Sequence, residues 1–133
     1  MQGNTLVTYK ILIVDDSKLA RMSVAKVLQT LHPNWTRVEA ANAEEALERL
    51  QQTSPDIVLL DYNMPGKDGV TLARELRDSN PRISVAVISA NRQVEVVNRT
   101  EAAGATFLAK PLTEKALETF LTTVVQNRQA SSK

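Results

Sequence analysis

Ile57-Val58-Leu59-Leu60-Asp61-Tyr62-Asn63-Met64-Pro65-Gly66 is the stretch that decides the fold. An unbroken apolar run of strand length has no polar face, so both of its sides must be covered. It ends in a carboxylate, and Pro65-Gly66 then turns the chain. Outward from it, residues 10–14 and 83–88 read as strands of the same kind, and the first of these also ends in acids, Asp15-Asp16. Longer segments of helical period separate the runs. That alternation predicts βαβ units, a parallel sheet and helices on both of its faces.

Five strand-helix pairs can be followed. After 10–14, a helix over 18–31 places Leu19, Val24, Val27, Leu28 and Leu31 on one face, and Pro33-Asn34 stops it. A weakly patterned strand over 36–40 precedes a helix that Asn42 caps, with Glu45 completing a capping-box-like pair and Ala46, Leu47 and Leu50 facing inward. Thr53-Ser54-Pro55 breaks the chain before 57–60. Val70, Leu72, Ala73 and Leu76 outline the third helix; a fourth spans 92–103 and stops at Gly104. After a short strand over 106–109, Thr113 caps the last helix, where Leu117, Phe120, Leu121, Val124 and Val125 form an apolar stripe. Residues 1–9 and 127–133 read as polar tails, with fraying expected from Gln126 onward, around one domain at 10–126. Trp35 reads as a packing residue. His32 has no second histidine or acid to suggest a triad or zinc site.

Composition narrows the function. The 133 residues suit a single domain, and a net charge of +1 offers no electrostatic footprint for nucleic acid or a membrane surface. Without cysteine there are no disulfides, thiolate metal sites or thiol nucleophiles. No apolar stretch approaches the roughly 20 residues of a membrane span, and residues 1–5 carry no signal-peptide pattern. The cytoplasm is the default location.

In an open parallel sheet, ligands bind beyond the carboxyl ends of the strands, where the strand order reverses. Asp15, Asp16, Asp61, Ser89 and Lys110 all fall at such ends. Taken singly, each acid would read as a cap or turn residue; taken together with Lys110 they form one cleft. Ionised carboxylates crowded there repel one another. A hard divalent cation offsets that repulsion, and Mg²⁺ in particular binds through one or two carboxylates, keeps waters and accepts a phosphate oxygen. A carboxylate can itself attack phosphorus, with positioned cations and donors stabilising the transferring group. Asp61 is the candidate nucleophile, aided by the Lys110 ammonium, the Ser89 hydroxyl and backbone amides near Asn63 and Ala90.

These residues resemble the receiver domain of bacterial two-component response regulators, of which the chemotaxis regulator is a single-domain member. The motifs are Val14-Asp15-Asp16-Ser17, Leu60-Asp61-Tyr62-Asn63-Met64-Pro65, Asp68-Gly69, Ser89-Ala90 and Lys110-Pro111, in order along about 10–126. The resemblance implies an α/β fold, a doubly wound (βα)5 sheet with flavodoxin-like strand order 2-1-3-4-5. It implies that Asp61 accepts a phosphoryl group from a sensor histidine kinase, a histidine phosphotransfer protein or a small phosphodonor. Asp16 and Asp61 would hold Mg²⁺ with the main-chain carbonyl of Asn63, and Asp15 would assist through water. Lys110 would contact the phosphoryl group, Ser89 would swing in to it, Phe107 would follow as the aromatic switch, and Lys110-Pro111 would be cis, an isomer that only proline makes cheap.

On this reading the chain is a phosphorylated signalling protein, not an enzyme. Its surface at the fourth helix, fifth strand and fifth helix would meet a downstream protein target or effector domain. Nucleic acid and membrane are not expected as direct partners, and a homodimer through the last two helices stays open. Lys67 departs from the family's apolar preference in the loop after Asp61, and Ser89 replaces the commoner threonine. Asn63 and Asn91 stand where the family tunes autodephosphorylation.

Other classes fit less well. A flavodoxin-like cofactor binder needs a Gly/Ser/Thr-rich first loop to cradle phosphate, whereas Asp15-Asp16-Ser17-Lys18 would repel one unless a metal intervened. A metal-dependent phosphohydrolase needs a second acid where Asn63 stands, and a substrate-covering cap. A receiver-like module that signals without phosphate would have no use for the intact acids, hydroxyl and lysine.

Overall fold

The structure, a computed structural model, describes residues 7–131. The chain runs β1 (Lys10–Val14), α1 (Lys18–Leu31), β2 (Thr36–Ala40), α2 (Ala43–Thr53), β3 (Ile57–Asp61), α3 (Gly69–Ser79), β4 (Ser84–Ser89), α4 (Val94–Ala102), β5 (Thr106–Ala109) and α5 (Glu114–Ser131). All strand pairs are parallel, in the order β2-β1-β3-β4-β5. The expected α/β fold and strand order are borne out. From β1 the chain first builds outward to β2, then returns to add β3 on β1's other side. The order therefore reverses between β1 and β3.

Two-residue periodicity divides each central strand between two apolar layers. Leu12, Val14, Val58 and Leu60 join Ala46 and Leu50 of α2 and Val70, Leu72 and Leu76 of α3. Ile11, Ile13, Ile57 and Leu59 join Leu28 of α1 and Leu117, Leu121 and Val124 of α5. Burying one such side chain is worth about 1.5–3 kcal/mol, and a one-residue slip of β3 would exchange its two layers. Register is thereby held where it matters: Val14 lies beside Leu60, Asp61 beside Ile88, and Ser89 beside Ala109.

Side-chain caps start four helices. The oxygens of Ser17, Asn42, Asp68 and Thr113 accept the backbone N–H groups of Ala20, Glu45, Thr71 and Ala116 at 2.8–3.1 Å, each worth about 1 kcal/mol. Glu45 Oε1 returns the bond, accepting from the Ala41 N–H at 2.8 Å. Gly104 adopts φ +80° after α4, and a Cβ there would stand 2.6 Å from Arg77 Nε.

Several expectations need correction. Leu19, assigned to the inward face of α1, is 73 % exposed; it precedes Leu28 by about two and a half turns and so points the opposite way. β4 starts at Ser84 instead of Ile83 and includes Ser89, while α4 is shorter than 92–103 and begins without a side-chain cap bond at Gln93. The polar stretch after Gln126 does not fray but continues α5 to Ser131. Arg128 holds it: Nη2 donates to the carbonyls of Asp56 (3.0 Å) and Arg82 (2.9 Å), and Nη1 to Asp56 Oδ1 (3.4 Å). Tyr9, placed in the N-terminal polar tail, packs edge-on against the buried Trp35 with centroids 4.9 Å apart. His32 stacks on the same indole at 3.7 Å. Residues 1–6 and 132–133 of the two expected tails lie outside the described residues. Among the described residues, no helix is long and apolar enough to cross a membrane.

Candidate functional site

The carboxyl ends of β1, β3, β4 and β5 bring the expected side chains together. Asp15, Asp16 and Asp61 each offer a carboxylate oxygen, and these lie within 4.8 Å of one another. Asp61 is 6 % exposed. Lys110 Nζ stands 2.8 Å from Asp61 Oδ1, yet among the described residues that oxygen has no partner in hydrogen-bond geometry; the lysine compensates it through charge. A buried carboxylate oxygen without a donor is costly. Such an arrangement suits an oxygen-seeking cation or an incoming group that completes the set.

Asp15 is half-buried, and its carboxyl is pushed above the usual carboxylate range. Burial is the main cause, reinforced by the charges of Asp61 and Asp16 and opposed by the Ser17 amide and Lys110. The Ser17 N–H donates to Asp15 Oδ1 at 2.9 Å. Asp16 is exposed at the rim.

Close packing places the loop after Asp61. The Tyr62 N–H donates to the Ile88 carbonyl, and the Gly69 N–H to the Tyr62 carbonyl, both at 2.9 Å. At Gly69 a Cβ would come within 2.7 Å of the Asp61 carbonyl oxygen and 2.9 Å of Tyr62 Cα, so only glycine lets α3 start this close to the end of β3. Asn63 is exposed and Met64 is buried. Lys67 pairs with Glu75 of α3 at 2.7 Å.

Ser89 is fully buried, and its Oγ accepts the Asn91 N–H at 3.0 Å. The Lys110 N–H donates to the Ser89 carbonyl at 2.9 Å, and the Lys110-Pro111 peptide is cis. Phe107, in the middle of β5, is half-buried. Arg92 Nη2 reaches the Lys110 carbonyl at 3.3 Å.

Two arginines of the site were not singled out from the sequence. Arg99 of α4 stands 3.4 Å from both Tyr62 Oη and Asp68 Oδ2, joining α4 to the loop after Asp61. Burial alone would raise the Asp68 carboxyl, but the amide and side chain of Thr71 and the Arg99 guanidinium outweigh it and lower the pKa. Arg21 of α1 donates through Nη1 to the Asp15 carbonyl at 2.6 Å and through Nε to Glu39 Oε1 at 2.8 Å. Helical period carries no signal for either, because their partners lie on other elements.

Residues 11–122 match the family described as the response regulator receiver domain. The chain belongs to that family. It is a receiver domain of two-component signalling, as its motifs led us to expect. The receiver is 33 % identical to the chemotaxis protein CheY of Bacillus subtilis over 106 residues, 77 % of this chain and 86 % of that protein. It is 35 % identical over 80 residues to a protein-glutamate methylesterase/protein-glutamine glutaminase of Treponema denticola, which covers 60 % of this chain but 22 % of that protein. The receiver fold thus occurs both as nearly the whole of a relative and as a small share of one. Among solved structures, the chemotaxis protein CheY4 of Vibrio cholerae superposes with a TM-score of 0.80 at 28 % identity, covering 89 % of this receiver and 99 % of that chain.

Proposed function

We propose that this receiver is a phosphorylation switch in which Asp61 accepts a phosphoryl group in an Mg²⁺-dependent reaction. The observation that carries the reading is the environment of Asp61: a buried oxygen that only the Lys110 charge compensates, beside two further carboxylates within 4.8 Å. The donor set fits a hard cation, with Asp15, Asp16, Asp61 and the main-chain carbonyl of Asn63 as its holders. Bound there, Mg²⁺ supplies positive charge against the crowded carboxylates and the oxygens of the transferring group.

The chain's own residues do the rest. An Asp61 carboxylate oxygen forms the new bond to phosphorus while the bond to the donor breaks and its electron pair leaves with the donor. That donor is the phosphohistidine of a sensor histidine kinase or histidine phosphotransfer protein, or a small acyl phosphate. Lys110 balances charge on the phosphoryl oxygens. The Ser89 hydroxyl, which accepts from Asn91 in this structure, turns its own proton toward the new group. A phosphoryl group adds about −1.5 to −2 in charge at neutral pH, enough to bias a two-state surface. Phe107 follows Ser89, and the face of α4, β5 and α5 changes for a downstream protein or effector domain, or for a second copy of this chain in a homodimer. In this role the receiver is a phosphoprotein of the cytoplasm that assists its own phosphorylation and dephosphorylation and has no separate substrate.

Incubation with Mg²⁺ and acetyl phosphate, followed by intact-mass measurement, tests this. Wild type gains one phosphoryl group and Asp61→Asn gains none; an equal gain in the variant overturns the assignment.

A further inference from the structure

We propose that Arg21 is the positioning residue of the acidic cluster: by gripping the main-chain carbonyl of Asp15 it sets where the Asp16 carboxylate stands. This rests on the metal-binding reading given above. The Asp16 side chain is exposed and makes no hydrogen bond or ion pair with the described residues, yet its carboxylate belongs to the 4.8 Å cluster. Only its backbone places it. The peptide joining Asp15 to Asp16 is a rigid plane, so the direction of the Asp15 carbonyl decides where the Asp16 Cα, the root of its carboxylate, stands.

Arg21 holds that carbonyl at 2.6 Å through Nη1. Its side chain is 14 % exposed, and Nε is anchored at 2.8 Å to Glu39, near the end of β2. One planar fork thereby ties the exit of β1 to α1 and to the edge strand. The charge-assisted bonds are strong and directional, and lysine lacks the second fixed donor. The other ties on Asp15 act elsewhere: its N–H donates to the Ala40 carbonyl at 3.1 Å and its Oδ1 accepts from Ser17. Neither fixes the carbonyl. Arg21 makes no ion pair with the three acids, so it acts on them through geometry.

The test is Mg²⁺ titration calorimetry on wild type, Arg21→Gln, Arg21→Lys and Glu39→Gln, with urea unfolding and amide NMR spectra of the metal-free proteins. Arg21→Gln is expected to weaken Mg²⁺ binding by about tenfold or more, the scale seen when a group that orients a metal ligand is removed. Arg21→Lys recovers part of the loss, and Glu39→Gln shows a smaller loss of the same sign. In metal-free Arg21→Gln the Asp16 and Ser17 amide resonances move, while that of Trp35 at the far end of the sheet does not. Wild-type Mg²⁺ affinity in Arg21→Gln overturns the proposal, as does reduced urea stability with affinity unchanged. Should Arg21→Gln fail to fold, Glu39→Gln decides by the same two readouts. If wild type itself binds no Mg²⁺, the cluster reading falls and takes this inference with it; if wild type binds and the variants match it, only the role of Arg21 falls.

Discussion

The two ends of the sheet use charge in opposite ways. At the carboxyl ends, three acids crowd together, Asp61 Oδ1 lacks a hydrogen-bond donor, and one lysine faces them. At the amino ends, Arg128 spends its guanidinium on two backbone carbonyls and the Asp56 carboxylate, and its face lies over the Tyr9 ring. Asp56 in turn accepts the Lys10 N–H at 2.9 Å. Among the described residues, Arg128 Nε and Arg37 Nη1, at the start of β2, stay without a hydrogen-bond partner there. One end stores repulsion between like charges, and the other closes the fold. Functional sites are where a chain departs from local satisfaction and is compensated elsewhere.

Substitutions can break this contrast. The largest effect is expected from Lys110→Met, which removes the ammonium 2.8 Å from Asp61 Oδ1: the rate of phosphorylation by acetyl phosphate should fall by about 100-fold, measured by intact mass over time. Next comes Arg128→Ala at the opposite end. It leaves the Arg82 carbonyl without its donor and takes one of two donors from both the Asp56 carbonyl and the Asp56 carboxylate, and should cost about 2 kcal/mol in urea unfolding, with Mg²⁺ affinity unaltered.

Asp15→Asn should have the opposite sign. The variant keeps an acceptor for the Ser17 N–H but removes a charge that burial and its acidic neighbours disfavour, so the metal-free fold should gain stability in urea unfolding while Mg²⁺ binding weakens. If Asp15→Asn destabilised the metal-free protein, the idea of stored repulsion would be wrong. Acidification acts on the same group: because its pKa is raised, Asp15 takes up a proton before an ordinary aspartate would, and Mg²⁺ affinity should drop as the pH enters the carboxylate range.

His32 offers the smallest effect. Burial lowers its pKa below 6.5, against a weaker opposing pull from Glu118. The unfolded chain therefore binds the proton more readily, and stability should decline slightly as the pH falls through 6.5 toward the folded value. Loss of this slope in His32→Gln, followed by Trp35 fluorescence, would tie it to the stacked pair.

Much of this was legible before any coordinates. The run 57–60 needed cover on both faces and received it, α1 begins at Lys18 and ends at Leu31 as its pattern indicated, and Asn42 caps α2 while Glu45 bonds back one residue before the cap, to the Ala41 N–H. The meeting of Asp15, Asp16, Asp61 and Lys110 was readable because a parallel sheet collects whatever ends its strands. Leu19 was misread through phase, since an apolar residue in a helix is not thereby on its apolar face. Gln126 to Ser131 was misread through polarity: the composition looks frayed, but Arg128 finds carbonyls at the starts of two distant strands.

What the sequence determined by itself was set by contacts within a few residues: strand or helix, where each helix is capped, and which residues stand at the strand ends. Tertiary structure alone decided the long-range grips, Arg21 on Glu39 across 18 positions, Arg99 on Asp68 across 31 and Arg128 on Asp56 across 72. A guanidinium at the end of a long flexible stem has no preferred partner in its own helix. Only the packing of the layers brings one within reach.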